Sequence, residues 1–388
     1  MMKFKNMTLA SLSIDGRGSY GIGATAVDYS DKLYTYLRIT DIRDDGTLNM
    51  ANLKSVNDEK ASQYLLKPND IVFARTGAST GRNYFYDGTD GEFVYAGFLI
   101  KFSIDPEKVT PKFIKYYCMS DTYKGWIHSF NTGSTRGNIN ARTLGGMTIP
   151  VPPRQQQDGM VKILSVLDAK IKKNLVINEN LAELLQTVYQ ERFGDVSAAS
   201  EQGRLLDICS YSKDRVVVSE LNVGTYFSTE NMLPGKTGAT EATSLPTIPQ
   251  TTACHNGDTL ISNIRPYFKK IVYCNDKCGC STDVLCFTPV QPKYKAYLFS
   301  TLYADKFFAF MVAGSKGTKM PRGDKQQIMS YPVALPSDEE LDEFNALALP
   351  ILAQLHFNKA ENKRLSATRD ELLPKLMSGE IDVSSVQL

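Results

Sequence analysis

Three glycines near the start of the chain match a dinucleotide-binding fingerprint. Gly16, Gly18 and Gly21 fit GxGxxG, and Asp41 follows at about the twenty-residue spacing of the acid that binds ribose. The fingerprint requires a strand before the glycines and a helix after them. The residues that follow, IGATAVDYSDKLYTYLRIT, instead alternate as a strand does. We therefore expect a flexible loop here and no bound dinucleotide.

Clustered cysteines form a second segment whose residue types could do chemistry. Five of the seven cysteines are Cys254, Cys274, Cys278, Cys280 and Cys286, and zinc sites use clustered thiols. The paired CxxC spacing of zinc knuckles is missing. We also expect alternate positions on a short strand to point their thiols to different faces. The sequence thus predicts free thiols, no metal site and a reducing compartment.

Several residue patterns of enzymes are missing from the sequence. The only Pro-Pro pair is followed by Arg154, so the Asn/Asp-Pro-Pro-Tyr/Phe tetrad of adenine methyltransferases is absent. No Walker A motif occurs, and no histidine is adjacent to both a nucleophile and an orienting carboxylate. Residues 105–108, DPEK, lack the separate upstream acid of a nuclease motif, and we expect a turn that enters a helix. We predict a chain that is not itself catalytic.

Length and charge indicate two or three domains with different electrostatic roles. The 388 residues are 42% hydrophobic and contain no apolar run long enough to cross a membrane, so we expect a cytoplasmic protein. Net charge is +3 over residues 1–150, zero over 151–195, +4 over 196–335 and −5 over 336–388. Basic blocks are typical of nucleic-acid contact, whereas the acidic segment should face another partner.

The chain consists of two similar halves. Each half begins with short β-like runs between Gly, Asn and Asp turns. A Gly-Ser loop, a Pro-containing segment and a long helical pattern then follow; the Gly-Ser loops are residues 133–137 and 314–317. The predicted boundaries are a first domain over residues 1–152, a central helix over 153–194, a linker over 195–203, a second domain over 204–335, a C-terminal helix over 336–380 and a tail over 381–388.

Both helical segments carry apolar residues at alternating steps of four and three, which is the stripe of a coiled coil. Asn174 and Asn178 interrupt the first stripe, and Asn358 and Asn362 interrupt the second 184 residues later. We predict that the helices pair and that the asparagines fix their register. The asparagines fit either orientation, but the long connection favours an antiparallel pair with internal pseudo-two-fold symmetry. The alternative is two amphipathic helices buried in separate domains.

Two basic domains on a rigid spacer resemble a dimeric DNA reader made from one chain. Such readers contact half-sites about one helical turn, or roughly 34 Å, apart. Because the two domains differ in sequence, the predicted target is bipartite and asymmetric.

Six segments are similar to those of the specificity subunits of type I restriction–modification systems. They are residues 33–48 (LYTYLRITDIRDDGTL), 70–81 (DIVFARTGASTG), 229–234 (TENMLP), 257–267 (GDTLISNIRPY), 280–285 (CSTDVL) and 369–381 (RDELLPKLMSGEI). The resemblance extends over essentially the whole chain. One departure is residues 154–157, RQQQ, where the family more often has Glu-Gln.

The resemblance implies an α+β chain with two mixed α/β target recognition domains, separated by two long helices that form an antiparallel coiled coil. It implies double-stranded DNA as the ligand and a gap between half-sites that helix length sets. The implied partners are two modification subunits, which bind S-adenosylmethionine and methylate adenine at N6, and two restriction subunits, which use ATP and Mg²⁺. This chain would hold no cofactor and no metal, and would have no membrane contact.

Loop residues of the basic blocks are the candidates for DNA contact. They are Arg17, Tyr20, Arg75, Arg82, Arg136 and Arg142 in the first domain, and Tyr226, Arg265, Lys269, Lys270, Lys316, Lys319 and Arg322 in the second. Arg75 and Arg82 are expected to correspond to Arg265 and Lys269. Any one of these residues could instead be a solvated surface charge.

The outer faces of the helices are expected to bind the modification subunits. Two other functions stay open at this point. The chain could be the DNA-recognition portion of a fused restriction–methyltransferase, or an interaction scaffold that does not bind DNA.

Overall fold

The computed structural model describes residues 4–130 and 138–384, which form two compact units. The first unit is Met1–Ile171 together with Lys363–Leu388, and the second is Lys172–Asn362. Each of the two long helices contributes one part to each unit. The units therefore do not coincide with the two predicted recognition domains.

Short strands build the first unit. They are β1 (Lys5–Thr8), β2 (Ser19–Tyr20), β3 (Ala26–Asp28), β4 (Tyr34–Leu37), β5 (Lys54–Val56), β6 (Asp70–Ala74), β7 (Asn83–Tyr86), β8 (Phe93–Tyr95), β9 (Leu99–Ser103) and β10 (Thr148–Val151). They form an antiparallel β1-β10 pair, an antiparallel sheet in the order β2-β9-β6-β7 and a mixed sheet in the order β3-β5-β4-β8. Every residue of β6 is buried, as expected of a strand covered on both faces.

Three short helices lie between β9 and β10 in the first unit. They are α1 (Pro111–Tyr117), α2 (Asp121–His128) and α3 (Ala141–Gly145). Side-chain oxygens satisfy free N–H groups at two of their starts. Ser120 accepts from the backbone of Tyr123 at 3.3 Å, and Asn140 accepts from that of Thr143 at 2.8 Å. The caps fix where α2 and α3 begin.

The second unit repeats this set of strands and short helices. Its strands are β11 (Gln202–Arg204), β12 (Cys209–Tyr211), β13 (Arg215–Val217), β14 (Tyr226–Phe227), β15 (Gln250–Cys254), β16 (Thr259–Ser262), β17 (Ile271–Tyr273), β18 (Cys278–Cys280), β19 (Val284–Pro289) and β20 (Pro332–Ala334). They pair as β11-β20, β12-β19-β16-β17 and β13-β15-β18-β14. Its short helices are α5 (Leu205–Ile208), α6 (Lys295–Tyr303), α7 (Asp305–Ala313) and α8 (Lys325–Met329).

The mixed sheets of the two units differ in strand order. In the first unit β5 pairs with β4, and β8 lies at the edge in parallel with β4. In the second unit β15 pairs with β18, which separates it from β14. Strand β18, which contains Cys278 and Cys280, thus lies inside its sheet, whereas its equivalent β8 lies at the edge of its sheet.

The two long helices are α4 (Arg154–Phe193), which lies between β10 and β11, and α9 (Asp338–Ser378), which follows β20. In the first unit Met160 and Leu164 of α4 share a core with Leu373 and Leu376 of α9. In the second unit the later part of α4 packs on the earlier part of α9. The predicted antiparallel pairing is confirmed in each unit. In the described part of the chain, no helix is both long and apolar enough to span a membrane.

The four seam asparagines meet in the second unit as two pairs between the helices. Asn174 Nδ2 donates to Asn362 Oδ1 at 2.8 Å, and Asn358 Nδ2 donates to Asn178 Oδ1 at 2.8 Å. Asn174 and Asn358 are 1% and 3% exposed, so these amides form a polar layer inside the seam. Their control of the register stays a prediction.

The segment after α9 packs back onto the start of α4. Buried Gln156 donates from Nε2 to the carbonyl of Ile381 at 2.9 Å and accepts from the N–H of Val383 at 2.8 Å. A Cβ on Gly159 would lie 2.3 Å from the Val383 carbonyl oxygen, so only glycine permits this approach. Of the residues predicted as a tail, Ile381 and Val383 thus belong to the first unit's core, and residues 385–388 lie outside the described residues.

Candidate DNA-recognition surfaces

Tyr20 joins two candidate segments of the first unit. Its hydroxyl accepts from the N–H of Ala141 at 3.1 Å, at the start of α3. The Arg75 guanidinium carbon lies 4.9 Å from the centre of the Tyr20 ring, which is a cation–π contact. The structure therefore brings Tyr20, Arg75 and the adjacent Arg142 into one group.

The glycine-rich segment contains a short strand where a loop was expected. Ser19–Tyr20 is strand β2, which pairs with β9. A Cβ on Gly18 would lie 2.6 Å from the Phe102 ring, and one on Gly21 would lie 2.2 Å from the Tyr95 carbonyl oxygen. These glycines let the segment pack tightly on the sheet, so the segment includes a short strand where a loop was expected. Strand β3 follows, rather than the helix that a dinucleotide fingerprint needs.

Exposed Arg17 and Arg142 line a shallow pocket of about 400 Å³, together with Gly16, Gly18 and Gly145 among others. Two cations beside backbone at glycine suit contact with phosphate oxygens. Arg136, the remaining arginine candidate near this segment, lies outside the described residues.

Arg82 is already engaged in an ion pair. Its Nε lies 2.6 Å from Asp44 Oδ1, and its Nη2 lies 3.1 Å from Asp44 Oδ2. Asp44 is largely exposed. A phosphate would have to replace this carboxylate before Arg82 could bind DNA.

The loop between β6 and β7 (residues 75–82) has an equivalent between β16 and β17 (residues 263–270). The N–H of Ala74 donates to the Arg82 carbonyl at 2.8 Å, as that of Ser262 does to the Lys270 carbonyl at 3.2 Å. Arg82 therefore corresponds to Lys270, and the expected correspondence with Lys269 is wrong by one residue. By the same register Arg75 corresponds to Asn263, and Arg265 to Gly77.

Left-handed backbone supports this alignment. Gly77 and Gly81 have φ of 70° and 89°, and Arg265 and Lys269, at the equivalent positions, have φ of 51° each. The second unit thus places basic residues where the first unit uses glycine. The alignment of the two loops predicted from the sequence was shifted, because Gly77 and Gly81 do not resemble Arg265 and Lys269, which occupy the equivalent positions.

The candidates of the second unit lie on two paired loops. The N–H of Arg265 donates to the Pro321 carbonyl at 2.8 Å, and Ile264 forms a β-bridge with Arg322. Lys316 also bridges to Arg322. The β16–β17 loop and the segment 314–323, which carries exposed Lys319, therefore form one basic surface.

Carboxylates hold several of these cations at the surface. Lys236 and Lys269 lie 2.7 and 2.8 Å from Asp305, and their hydrogen bonds hold the pKa of that carboxyl below its usual value. Lys316 lies 2.6 Å from Asp324 and Arg322 lies 3.1 Å from Asp283. Lys270 donates instead to the Thr229 carbonyl at 2.6 Å. These exposed pairs orient the cations at little cost in free energy.

Tyr226 does not lie on this surface. It belongs to β14, and its side chain is buried with Val216, Leu221 and Ala253. The prediction that it contacts DNA is wrong, because a two-residue strand gives too little pattern to distinguish a core tyrosine from a loop tyrosine. Lys236, which was not predicted, lies beside this surface with its largely buried ammonium on Asp305 and over the Tyr303 ring.

The five clustered cysteines share one buried core. Cys254, Cys274, Cys278, Cys280 and Cys286 pack together, and Sγ of Cys278 lies 3.5 Å from Sγ of Cys274. The expectation that thiols on alternate strand positions face apart is wrong, because side chains two residues apart share a face. Among residues 4–130 and 138–384, no group of three or more His, Cys, Asp or Glu side chains is arranged to hold a metal ion.

Part of the chain is similar to known proteins. The type I restriction modification DNA specificity domain matches residues 26–181. The HindI specificity subunit of a type I restriction enzyme from Haemophilus influenzae is 22% identical over 144 residues, which are 36% of this chain and 31% of that protein. The match therefore spans less than a third of that relative's length.

A solved structure is similar over nearly the whole chain. The S subunit of a type I restriction–modification system from M. genitalium matches with a TM-score of 0.57 and 17% identity, covering 97% of this chain and 96% of that chain. This likeness shows the fold. Residues 26–181 therefore match the type I restriction modification DNA specificity domain, and the chain as a whole has the fold of a type I S subunit.

Proposed function

We propose that this chain is the sequence-specific DNA-recognition subunit of a type I restriction–modification complex. One observation carries the proposal: each unit presents a loop between equivalent strands, joined by hydrogen bonds to a second segment that carries a cation. In the first unit Ile139 donates to the Arg75 carbonyl at 2.9 Å, and in the second Gly323 donates to the Asn263 carbonyl at 3.3 Å. Arg142 lies three residues after Ile139, and Arg322 immediately precedes Gly323, so each of these hydrogen bonds has an arginine close to it in sequence.

The same comparison supports an asymmetric target. The first unit has Arg75 against Tyr20 where the second has the buried Asn263, so the two equivalent loops present different side chains. We infer that each recognition domain reads a different half-site. The gap between the half-sites would be set by α4 and α9.

We infer that the chain itself is not catalytic and holds no cofactor. In this proposal two modification subunits bring S-adenosylmethionine and methylate adenine at N6. Two restriction subunits bring ATP and Mg²⁺ to complete the nuclease.

Exposed apolar residues on the long helices support a docking role for their outer faces. In the second unit, Leu175, Ile177 and Leu184 of α4 and Phe357 of α9 are all exposed. Large apolar side chains on a helix are typical of partner contact. We propose that the modification subunits bind these faces rather than the basic loops.

The decisive experiment is a genome-wide map of N6-methyladenine in cells that carry this chain and its modification subunit. Deleting this chain alone should remove methylation at one split, asymmetric motif, and restoring it should return that motif. A strain with Lys375→Gln, a change on the acidic helix, is the matched control and should keep the motif. An unchanged map after deletion, with the modification subunit active, would refute the proposal and favour a scaffold that does not bind DNA.

A further inference from the structure

Exposed aromatic side chains lie beside the basic loops of both units. In the first unit Phe98 is 60% exposed, and its carbonyl accepts from the N–H of Arg75 at 3.0 Å. In the second unit Tyr267 and Phe268, at the tip of the β16–β17 loop, are 50% and 39% exposed. Single exposed apolar residues are common on proteins, so their location is what gives these meaning.

The two units place their aromatics at different positions of the same framework. The N–H of Asn263 donates to the Asp283 carbonyl at 2.8 Å, so Asp283 occupies the place of Phe98. Tyr267 and Phe268 correspond to Ser79 and Thr80 of the first unit. Each unit therefore has an aromatic where the other has a polar side chain.

The aromatic tip of the second unit is held in a disfavoured backbone conformation. Arg265, Lys269 and Lys236 have φ of 51°, 51° and 63°, in the left-handed region that favours glycine. Two hydrogen bonds fix the tip: Gly235 N–H to the Phe268 carbonyl at 2.8 Å, and Lys236 N–H to the Lys269 carbonyl at 2.9 Å. Strain of this kind persists where the surrounding structure imposes it, often at a binding site.

The cationic side chains around these aromatic residues indicate which ligand would cover them. Arg265, Lys269 and Lys270 flank Tyr267 and Phe268, and Arg75 adjoins Phe98. An aromatic side chain with cations beside it suits contact with DNA, because the bases of DNA lie between two rows of phosphates. Aromatic side chains contact thymine methyl groups or insert between base steps, and cations beside them bind the phosphates.

We propose that Phe98 and Tyr267 are the base-contacting residues that set half-site preference, Phe98 in the first domain and Tyr267 in the second. This inference rests on the proposed function in DNA recognition. It adds that the two half-sites differ because the apolar contact comes from different loops.

The test uses the chain assembled with its modification subunits and a library of randomised 40-base-pair duplexes, selected by binding and then sequenced. Tyr267→Ala should lower the preference for the selected bases roughly 5- to 150-fold in one half-site only. Phe98→Ala should do the same in the other half-site only. Val290→Ala, which changes an exposed apolar residue after β19, should change neither.

Tyr267→Lys separates base contact from contact with phosphate. If the ring lies on a base, the added cation cannot replace it and the half-site preference falls. If the tip lies only near phosphates, binding tightens and the motif stays, which would overturn the inference. Retention of both half-sites in Tyr267→Ala and Phe98→Ala would also overturn it, while leaving the proposed function intact. Selection of no bipartite motif by the wild-type chain would instead refute the proposed function.

Discussion

Arg369 and Asp168 form an ion pair between the two long helices, with Nη1 and Oδ1 3.2 Å apart. By the 184-residue repeat, the equivalent positions in the second unit are Leu185 and Leu352, and both are buried in one apolar core. Lys115 of α1 also contacts Asp168, at 2.6 Å. The same level of the seam is therefore ionic in the first unit and apolar in the second.

Replacing Asp168 tests how much this ion-pair network contributes to the free energy of unfolding. Asp168→Asn should lower the free energy of unfolding by about 2 kcal/mol, because Lys115 would lose its counter-ion in a half-buried site and Arg369 would keep only Asp370. Glu371→Gln, which breaks an exposed pair with Lys375 on the same helix, should cost less than about 0.5 kcal/mol. Urea denaturation measures both, and equal effects would contradict a special role for Asp168.

Stability should depend on pH through the same carboxyl. Burial raises the pKa of Asp168, but the charges and hydrogen bonds of Lys115 and Arg369 outweigh burial and hold the pKa below its ordinary value. A carboxyl with a lowered pKa stabilises the folded chain above its unfolded pKa, and this contribution is lost as pH falls through the folded value. The stability difference between wild type and Asp168→Asn should therefore narrow below about pH 4. A difference that stays constant to pH 2 would contradict this assignment.

The asparagine pairs should govern helix register rather than half-site preference. Replacing Asn174 and Asn178 with Leu removes the polar layer, so the apolar seam could shift by a heptad. We expect the selected half-sites to be kept and the gap between them to become variable. Sequencing of bound duplexes measures the gap, and Leu167→Ala, which keeps the asparagines, is the control. A single unchanged gap in the Leu variant would count against the register role.

Phosphate contact predicts a specific response to salt. If Arg17 and Arg142 each bind one phosphate, their double replacement with Ala should make the slope of log affinity against log salt shallower by about 2. Preference among sequences should stay the same, because phosphate contacts carry no base information. Fluorescence anisotropy at several salt concentrations checks this, with Lys375→Gln as a cation control. An unchanged slope would remove both arginines from the interface.

The left-handed positions of the equivalent loops permit a reciprocal pair of substitutions. Lys269→Gly should raise the free energy of unfolding by about 0.5–1 kcal/mol, since glycine has no penalty at this φ. Gly81→Ala should destabilise by more than about 1 kcal/mol, because φ is 89° and the new Cβ would lie 2.5 Å from Ile127 Cγ2. Thermal unfolding measures both signs. Destabilisation by Lys269→Gly would show that its ion pair with Asp305 outweighs the strain.

The thiols should be unreactive in the folded chain. All seven cysteines are free and buried, so a reagent cannot reach them. Burial raises the pKa of the Cys118 and Cys209 thiols, whereas hydrogen bonds from Cys254 and Cys274 lower that of Cys278, whose protection comes from burial alone. An Ellman titration without reductant should find little reaction in the native protein and seven thiols in guanidinium. Fewer than seven after unfolding would indicate a disulfide, with Cys274 and Cys278 the nearest pair.

The long helices could be predicted from sequence, because their contacts repeat every three or four residues along one chain segment. The positions of Asn174 and Asn358 in the seam follow from that local period. The sheets could not be predicted, since their strands are two to six residues long and pair over long separations, as Thr8 does with Thr148. No short-range pattern in the sequence indicates which distant strands pair.

The site was predicted only in part for the same reason. Arg75 and Arg142 follow from charge in glycine-rich loops, and the structure adds Tyr20 as the group that joins them. The aromatics Phe98 and Tyr267 give no signal beyond their hydrophobicity, which equally predicts a core position. Gln156 resembled a surface glutamine in a polar run, yet it is buried and binds the backbone after α9.

The first unit is made of two separate stretches of chain, and the second unit lies between them in sequence. A ribosome therefore finishes the whole second unit before it makes the residues that cover Met160 and Leu164. Residues 172–362 take about 10–40 s to synthesise at 5–20 residues per second. During that interval the apolar start of α4 has no partner helix. We expect chaperones to bind the nascent chain at this stage, because the apolar start of α4 is uncovered. A chain truncated after the second unit would have one folded unit and one unit with an exposed apolar surface that favours aggregation.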